Sequence, residues 1–530
     1  MRNMKSIILL SFISSLFSQP PGEIIDQTTI DIANYWNSST NQIFIDEADN
    51  VFIGYSFSNE SSGSNPQVKI KNISTDQFYF INDLNGFGCG LPDIRKHSWG
   101  NLLVTTTSGG LPYIITDDWA NGVSLNIESV PGEGIFEELF WFDEAPASEP
   151  EFALTGWTII DPSGRIHSLI YDGWGYGFVY KYSDDGGFVF SQGTIIAYNG
   201  EEEFMNHEVM EGSFFDQPFG AAFNSDGNGH VTIAVTDQGG NISLYESFSS
   251  GETWEEGRNI TDYGEDFGGD SLARPDRFID GIFDNEGNLH IVWEATYWMD
   301  IWQESERHPW PGYGVEMPYP ADKRGRLIHW SENTGLNLVA VSQYPLVDLT
   351  SVFGSITGRD KGCMISQPSI SIDEQSNDLI IGFTQYSEVN GETTLDGDFL
   401  SFGEIYLTKS SDNGLSWTVP QNIFESAETD ERHLMLNEKL VNGEVHLLYF
   451  SDDIPGYNLF EEITTNSGVD VIYHSMLSTE NNIAIYGCID SDAINYNSTA
   501  TIDDGSCINF NTQISGCLSQ FIVSGGNMTL

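Results

Sequence analysis

Positive charge is what this chain has least of. Its 530 residues hold 20 Lys plus Arg against 78 Asp plus Glu, a formal net charge of −58. Nucleic acid is not an expected partner, because phosphate binding needs clustered cations that release counterions. An anionic membrane surface would repel the chain for the same reason. Apolar runs are missing beyond the N-terminus, so no transmembrane segment is expected. Cysteine is sparse and odd in number: Cys89, Cys363, Cys488, Cys507 and Cys517 leave at least one thiol unpaired or paired elsewhere. HExxH, paired CxxC, a phosphate loop and GxSxG do not occur, so their chemistries are not expected. What the chain has in quantity is aromatic residues (13 Trp, 22 Tyr and 33 Phe) and 54 Gly, the composition of a globular, turn-rich protein.

The one apolar run, Ile7 to Phe17, follows Arg2 and Lys5 and precedes small residues near Ser18. It reads as a secretory signal peptide over 1–19, cleaved near Ser18 or Gln19. The protein is therefore expected to be secreted or held at the cell surface, where disulfides form.

A pattern recurs along the rest of the chain: a short β-rich run, a tight Asp/Asn/Gly turn, then a second run that often carries His and ends aromatic. It appears as FIDEADNVFIGY from Phe44, HSWGNLLVT from His97, IIDPSGRIHSLIY from Ile159 and AFNSDGNGHVTIAV from Ala222. It returns as IFDNEGNLHIVW from Ile282, SIDEQSNDLIIGF from Ser371 and LVNGEVHLLYF from Leu440. The seven turns lie between 51 and 90 residues apart, room for one four-stranded sheet each.

A second turn follows the first in several units, with the pattern Ser-x-Asp-x-Gly-x-x-aromatic. SSDNGLSW from Ser410 matches fully and SDDGGFVF from Ser183 has Phe for Trp. SFSSGETW from Ser247 has Ser249 for Asp, and SENTGLNL from Ser331 is degenerate. These turns resemble the Asp boxes of the sialidase-like BNR propellers. In physical terms the Asp or Ser side chain caps turn amides, Gly supplies a positive φ and the aromatic packs between sheets. The resemblance implies an all-β fold, a β-propeller over 24–478. Seven blades are expected, or six if the first or second copy is absorbed elsewhere. Ring closure needs the N-terminal segment, and TTIDIANYW from Thr28 is the expected outer strand of the last blade. In that superfamily the boxes lie away from the active site, so they speak for fold and not for catalysis.

Propeller connectivity puts the Asp/Gly turns and the second turns on one face. The opposite face must carry the long insertions at 129–150, 201–217, 294–326, 341–367, 386–403 and 451–470, the usual place for a binding site. Residues expected at the channel mouth on that face are Arg95, Lys96, His97, Gln217, Arg274, Arg277, Gln367, Arg432 and His433. Convergent guanidinium groups there would hold a carboxylate or sulfate bidentately, or else pair with local acids such as Asp276, Asp280 or Glu431. The insertion after Glu294 carries Tyr297, Trp298, Trp302, Trp310, Tyr313 and Tyr319, faces for stacking on sugar rings or a mini-core that ties the loop down. Glu294, Asp300 and Glu304 are interleaved with them as acid or base candidates. His167, His230, His290 and His446 share one repeat position and are read as blade-packing residues rather than metal ligands.

Past residue 480 the character changes. Cys488 and Cys507 bound an acidic stretch at 486–508, similar to Cys-bounded modules of exported marine bacterial proteins, and a disulfide between them is expected. Asp490, Asp492, Asn495, Asn497, Asp503 and Asp504 offer hard oxygen ligands for calcium, the one candidate ion. The other reading is a solvated acidic spacer. A tail at 509–530 follows, with Cys517 placed as if to begin another copy.

Two functions from different classes follow. As an enzyme on acidic glycans, the chain would draw on Arg274, Arg277, Glu294, Tyr297, Asp300, His97 and His433. Resemblance to sialidases implies hydrolysis, with arginines on the sugar carboxylate, a Glu-activated Tyr as nucleophile and an Asp as proton donor. The chain departs from that pattern: it lacks the arginine-Ile-Pro signature in the first blade, has no Arg between Arg2 and Arg95, and offers no Tyr assignable as nucleophile. Seven blades are also similar to marine polysaccharide lyases, which implies uronate neutralisation by Arg and β-elimination by His with Tyr; His97, His433, His308 and Tyr297 then become candidates. As a non-catalytic surface propeller, it would bind a glycan or an extracellular protein through Arg95, His97, Arg274, Arg277, Trp298, Trp302, Trp310, Tyr313 and Arg432, with no cofactor required. The missing catalytic signatures favour the second reading.

Overall fold

The computed structural model describes residues 22–29, 40–58, 67–81, 89–108, 122–142, 153–172, 177–197, 208–209, 220–236, 241–261, 263, 273–297, 324–345, 365–393, 399–423, 429–455, 468–477, 486–498, 500, 502–503 and 507. The proposed signal peptide, Cys363 and Cys517 lie outside them. Every regular element of length is a β-strand, and among the described residues no helix is long and apolar enough to cross a membrane.

Seven sheets form in chain order, each an antiparallel four-stranded meander, so the chain is a seven-bladed β-propeller. Their first strands are Ile43–Ile45, Cys89–Lys96, Ala153–Ile160, Gly220–Ser225, Ala273–Phe283, Ile365–Asp373 and Asp430–Leu436. These first strands are innermost and touch in succession from blade one to blade seven, where the first strand of blade one meets the second strand of blade seven. Blade three adds a short parallel strand, Glu208–Val209, at its rim. The seventh sheet is completed by Glu23–Thr28, which pairs antiparallel with Val469–Leu477, Thr28 opposite Val469. The closing strand thus ends where the sequence suggested it would begin. Its register is set by EIIDQT, which buries Ile25 and Thr28 and sends Asp26 across the seam. There Asp26 accepts a hydrogen bond from the Tyr55 hydroxyl at 2.5 Å and pairs with Lys69 of blade one. The Lys69 ammonium sits 4.2 Å from the ring centroids of both Phe57 and Phe78.

The core is divided among the seams. Seven apolar clusters each join two consecutive blades: Val292 and Leu327 meet Ile381, Phe383 and Trp417 between blades five and six, and Ile380 and Ile405 meet Leu434 and Leu447 between six and seven. Ile380 and Ile381 serve opposite seams because side chains alternate along a strand. Such positions are buried on both sheet faces, and each fully buried aliphatic or aromatic side chain stabilises the ring by about 1.5–3 kcal/mol.

The turns on one face satisfy themselves locally. Asp161 Oδ1 accepts the Ser163 and Arg165 amides at 2.9 and 3.0 Å, and Asp284 Oδ1 accepts those of Glu286 and Asn288 at 2.9 and 2.8 Å. In the second set of turns the Ser410 hydroxyl accepts the Gly414 amide at 2.9 Å and Asp412 accepts that of Ser416 at 2.8 Å. Ser247 and Ser249 do the same for Gly251 and Thr253, so Ser249 replaces Asp without loss of the cap. Gly414 holds φ at +84°, and a Cβ there would collide with the His329 ring. Trp417 packs at 2 % exposure in the seam between blades five and six.

The strand histidines pack as expected of their repeat position. His167 bonds the Tyr180 hydroxyl at 2.7 Å, His446 that of Tyr473 at 2.7 Å, and His290 the His329 ring at 2.9 Å. His230 meets Glu246 at 3.2 Å. Burial lowers His167 to a pKa of about 4.

A separate compact unit begins at Ala484. The Cys488–Cys507 disulfide closes it with a Cα separation of 4.8 Å.

Candidate functional site

Five of the seven innermost strands are irregular near their first residues, at the loop-rich end of the ring. Registers slip between Gly90 and Asp93, Ala153 and Thr155, Pro275 and Ile279, Ser366 and Ser369, and Arg432 and Met435. Between Pro275 and Ile279 the inner strand advances four residues while its partner advances two, from Ala295 to Trp293. Each slip is a β-bulge, which re-aims side chains and is over-represented beside functional sites. Two non-glycine residues inside these bulges hold left-handed backbone, Gln367 at φ +55° and His433 at φ +57°. Such strained positions persist only where the surroundings over-determine them.

The surroundings here are side chains from neighbouring blades. Glu294, 2 % exposed on the second strand of blade five, accepts the Phe278 amide and the Gln367 amide, each at 3.3 Å. Gln367 Oε1 in turn accepts the His433 amide at 2.8 Å, while Gln367 Nε2 lies 3.2 Å from His433 Nδ1. The bulges of blades five, six and seven are thereby linked in one chain of hydrogen bonds. Beside it Arg432 is buried, paired with Asp430, with its guanidinium 4.7 Å from the Tyr386 ring centroid. Asp430 also accepts the Gly403 amide at 2.5 Å. Asp452 stands nearby with its carboxyl raised well above the usual range, chiefly by burial and then by the Asp430 charge.

Further along the inner strands, carboxyls bridge blades. Asp93 accepts the Thr158 amide at 2.8 Å, and Asp280 accepts the Ile370 amide at 2.9 Å. Burial raises Asp93 to a pKa of about 6 despite Arg95, and Asp280 to about 7 despite its amide donors.

The expected mouth residues divide into groups. Arg274 and Arg277 lie at the start of the blade-five inner strand, Arg277 within the bulge, and Tyr297 stands opposite Ala273 at the end of the next strand. Gln367, Arg432 and His433 lie in or beside their bulges on the same face. Arg95, Lys96 and His97 do not. The inner strand of blade two runs from Cys89 to Lys96, so Arg95 and Lys96 finish it, His97 follows, and all three stand at the opposite face. There the Gly100 amide donates to the His97 carbonyl within the turn, and His97 Nε2 bonds the Gly186 carbonyl at 3.2 Å. Arg95 pairs with Asp93 at 3.1 Å and with Glu438, and Lys96 pairs with Glu47. Their placement at the mouth is corrected accordingly. Gln217, Trp298, Asp300, Trp302, Glu304, His308, Trp310, Tyr313 and Tyr319 lie outside the described residues, as do the side chains of Arg274, Arg277 and Tyr297. The 386–403 insertion proves to be in large part a hairpin extension, with Gly391 opposite Ser401 and Thr393 opposite Phe399.

In the C-terminal unit, Asp490 accepts the Asp492 amide at 2.9 Å and the Asn497 amide donates to the Cys488 carbonyl at 2.8 Å. Asn495 and Asp503 are part-buried there, and Asp504 lies outside the described residues. No group of three His, Cys, Asp or Glu poised for a metal occurs among the described residues.

The bulges themselves were missed by pattern reading. A signal was present: Pro92, Pro275 and Pro368 fall at the starts of innermost strands, and proline inside a sheet is confined to edges, strand starts and bulges.

No family model matches the chain, and no curated relative does. Among solved structures, an ulvan lyase of a polysaccharide lyase family is similar at 12% identity, covering 86% of this chain and 97% of its own, with a TM-score of 0.45. A second polysaccharide lyase is similar at 9% identity, covering 83% and 91%, with a TM-score of 0.44. A sialidase from Streptococcus pneumoniae is similar at 10% identity, covering 85% and 70%, with a TM-score of 0.39.

Proposed function

We propose that this is an exported propeller that binds an acidic glycan at its loop-rich face without turning it over. The observation that carries the reading is the linked arc of bulges in blades five to seven, strained backbone held rigid at the end of the ring that the long insertions feed. Arg274 and Arg277 begin that arc, and in a chain of net charge −58 two arginines so close in sequence are a local exception suited to a carboxylate or sulfate. The aromatic insertion that follows them supplies faces for sugar stacking. Glu294, the acid or base candidate here, has both oxygens engaged by backbone amides, which supports binding over catalysis. Calcium in the C-terminal unit remains part of the proposal, resting on its oxygen ligands alone.

The test is mass spectrometry and affinity measurement on the full chain with sialoglycans and with uronate-rich or sulfated algal polysaccharides. Intact glycans are expected, with affinity that falls about tenfold or more in Arg274→Ala or Arg277→Ala, the scale of one lost charge-assisted hydrogen bond. Products heavier by water would make it a hydrolase, and unsaturated uronates a lyase. Full affinity in both variants would move the site elsewhere.

A further inference from the structure

The chain of bonds across the three bulges fixes more than their spacing. A backbone amide can only donate, so the atom of Gln367 that faces the His433 amide at 2.8 Å is its oxygen. The Thr384 hydroxyl, 3.5 Å from the same atom, agrees with that orientation. The Gln367 amide nitrogen must then face His433 Nδ1, at 3.2 Å, and both of its hydrogens are donors. An imidazole nitrogen opposite a donor has to accept, so the ring proton belongs on Nε2. Flipping the Gln367 amide to suit a protonated Nδ1 would set its NH₂ against the His433 amide, donor against donor. Gln367 itself is oriented by Glu294, which takes its backbone amide, and its backbone is held at φ +55°.

We propose that Gln367 is a positioning residue that locks His433 as the neutral Nε2–H tautomer, with Glu294 as its anchor, so that blades five, six and seven present one rigid arc to the ligand. His433 then acts as a fixed hydrogen-bond donor through Nε2, and its Nδ1 is withdrawn from base chemistry. The inference deepens the glycan-binding reading, because the bulge that Glu294 ties to Gln367 carries Arg277. It assigns roles to three buried polar residues whose partners lie on different blades.

Imidazole ¹⁵N spectra of the full chain test it directly. The His433 resonances are assigned by their loss in His433→Gln or, should that variant fail to fold, by coupling across the Gln367 Nε2 to His433 Nδ1 hydrogen bond. The expected pattern is an unprotonated Nδ1 and a protonated Nε2. In Gln367→Glu a carboxylate accepts from both the His433 amide and the ring, so Nδ1 gains a proton and the wild-type pattern is lost. A protonated Nδ1 in the wild type, or an unchanged pattern in Gln367→Glu, would overturn the assignment. Affinity for a uronate oligosaccharide is expected to fall about tenfold in Glu294→Gln, which turns one acceptor of the tie into a donor. Wild-type affinity there would deny the anchoring role. Absence of glycan binding by the wild type would count against the functional reading alone, since the tautomer is read without ligand.

Discussion

The two faces of the ring solve the same problem in opposite ways. On the turn face, backbone amides are capped by side chains two to four residues away, as Asp161 caps Ser163 and Arg165 and as Asp412 caps Ser416. At the loop-rich mouth, Glu294 caps the Phe278 amide of its own blade and two further bulge amides are capped from other blades: Glu294 reaches Gln367 across 73 residues, and Gln367 reaches His433 across 66. The first arrangement lets each turn close on itself, with polar contacts such as Arg95 to Glu438 and the Asn285 amide to Asn377 added between neighbouring blades. The second makes three blades one mechanical unit, at the end where a ligand would need fixed geometry.

The strongest way to break the comparison is at a seam below the turn face. Trp417→Ala should destabilise the ring by about 3–5 kcal/mol, read by denaturant unfolding, because the side chain leaves a cavity between blades five and six. A loss under about 1 kcal/mol would mean that this turn is ornament rather than a wedge. Next comes Arg95→Ala, which strands Asp93 in the ring and should cost about 3 kcal/mol. Glycan affinity should stay at the wild-type level, and a matching fall in affinity would return Arg95 to the binding face.

The pH dependence of the inner wall is a subtler probe. Burial raises Asp280 to a pKa of about 7 in the folded chain, above the ordinary carboxyl value, so its contribution is fully present below about pH 4 and is lost as pH rises through 7. The unfolding midpoint of Asp280→Asn should therefore gain on the wild type between pH 5 and pH 8; a constant gap would refute the assignment. Turn carboxylates such as Asp161 and Asp284, held below the usual range by hydrogen bonds that outweigh their burial, act oppositely and withdraw stability as pH falls below about 4. The smallest effect is expected for Asp412→Ala, about 1 kcal/mol, since only a local cap and the Ser416 contacts are lost. A loss several times larger would show that this cap also supports the contacts between neighbouring turns.

The same contrast decides what could be read in advance. Asp-x-x-Gly spacing, Ser-x-Asp-x-Gly spacing and the short apolar runs of strands such as DLIIGF are short-range signals, and they are sufficient for the meander and the blade count. Arg95 and His97 were misplaced because the turn after them was legible while Pro92 and the slip at Gly90 hid the strand before them. The closing strand was misjudged for a related reason. TTIDIANYW alternates and EIIDQT does not, yet the partner strand Val469–Leu477 and the Asp26 contact with Tyr55 select EIIDQT. Glu294 was legible as a carboxylate in a suggestive place, but its commitment to two amides from different blades was not.

Sequence alone determined the repeat, its turns, the shortage of cations and the Cys488–Cys507 pairing, because each depends on residues close along the chain or on a simple sum over it. The tertiary structure decided which strand closes the ring, that Arg95 lies on the turn face, and that Gln367 stands between Glu294 and His433. Those outcomes depend on contacts between residues tens to hundreds of positions apart, brought together by the circular arrangement of seven sheets, and no local pattern encodes a partner that distant.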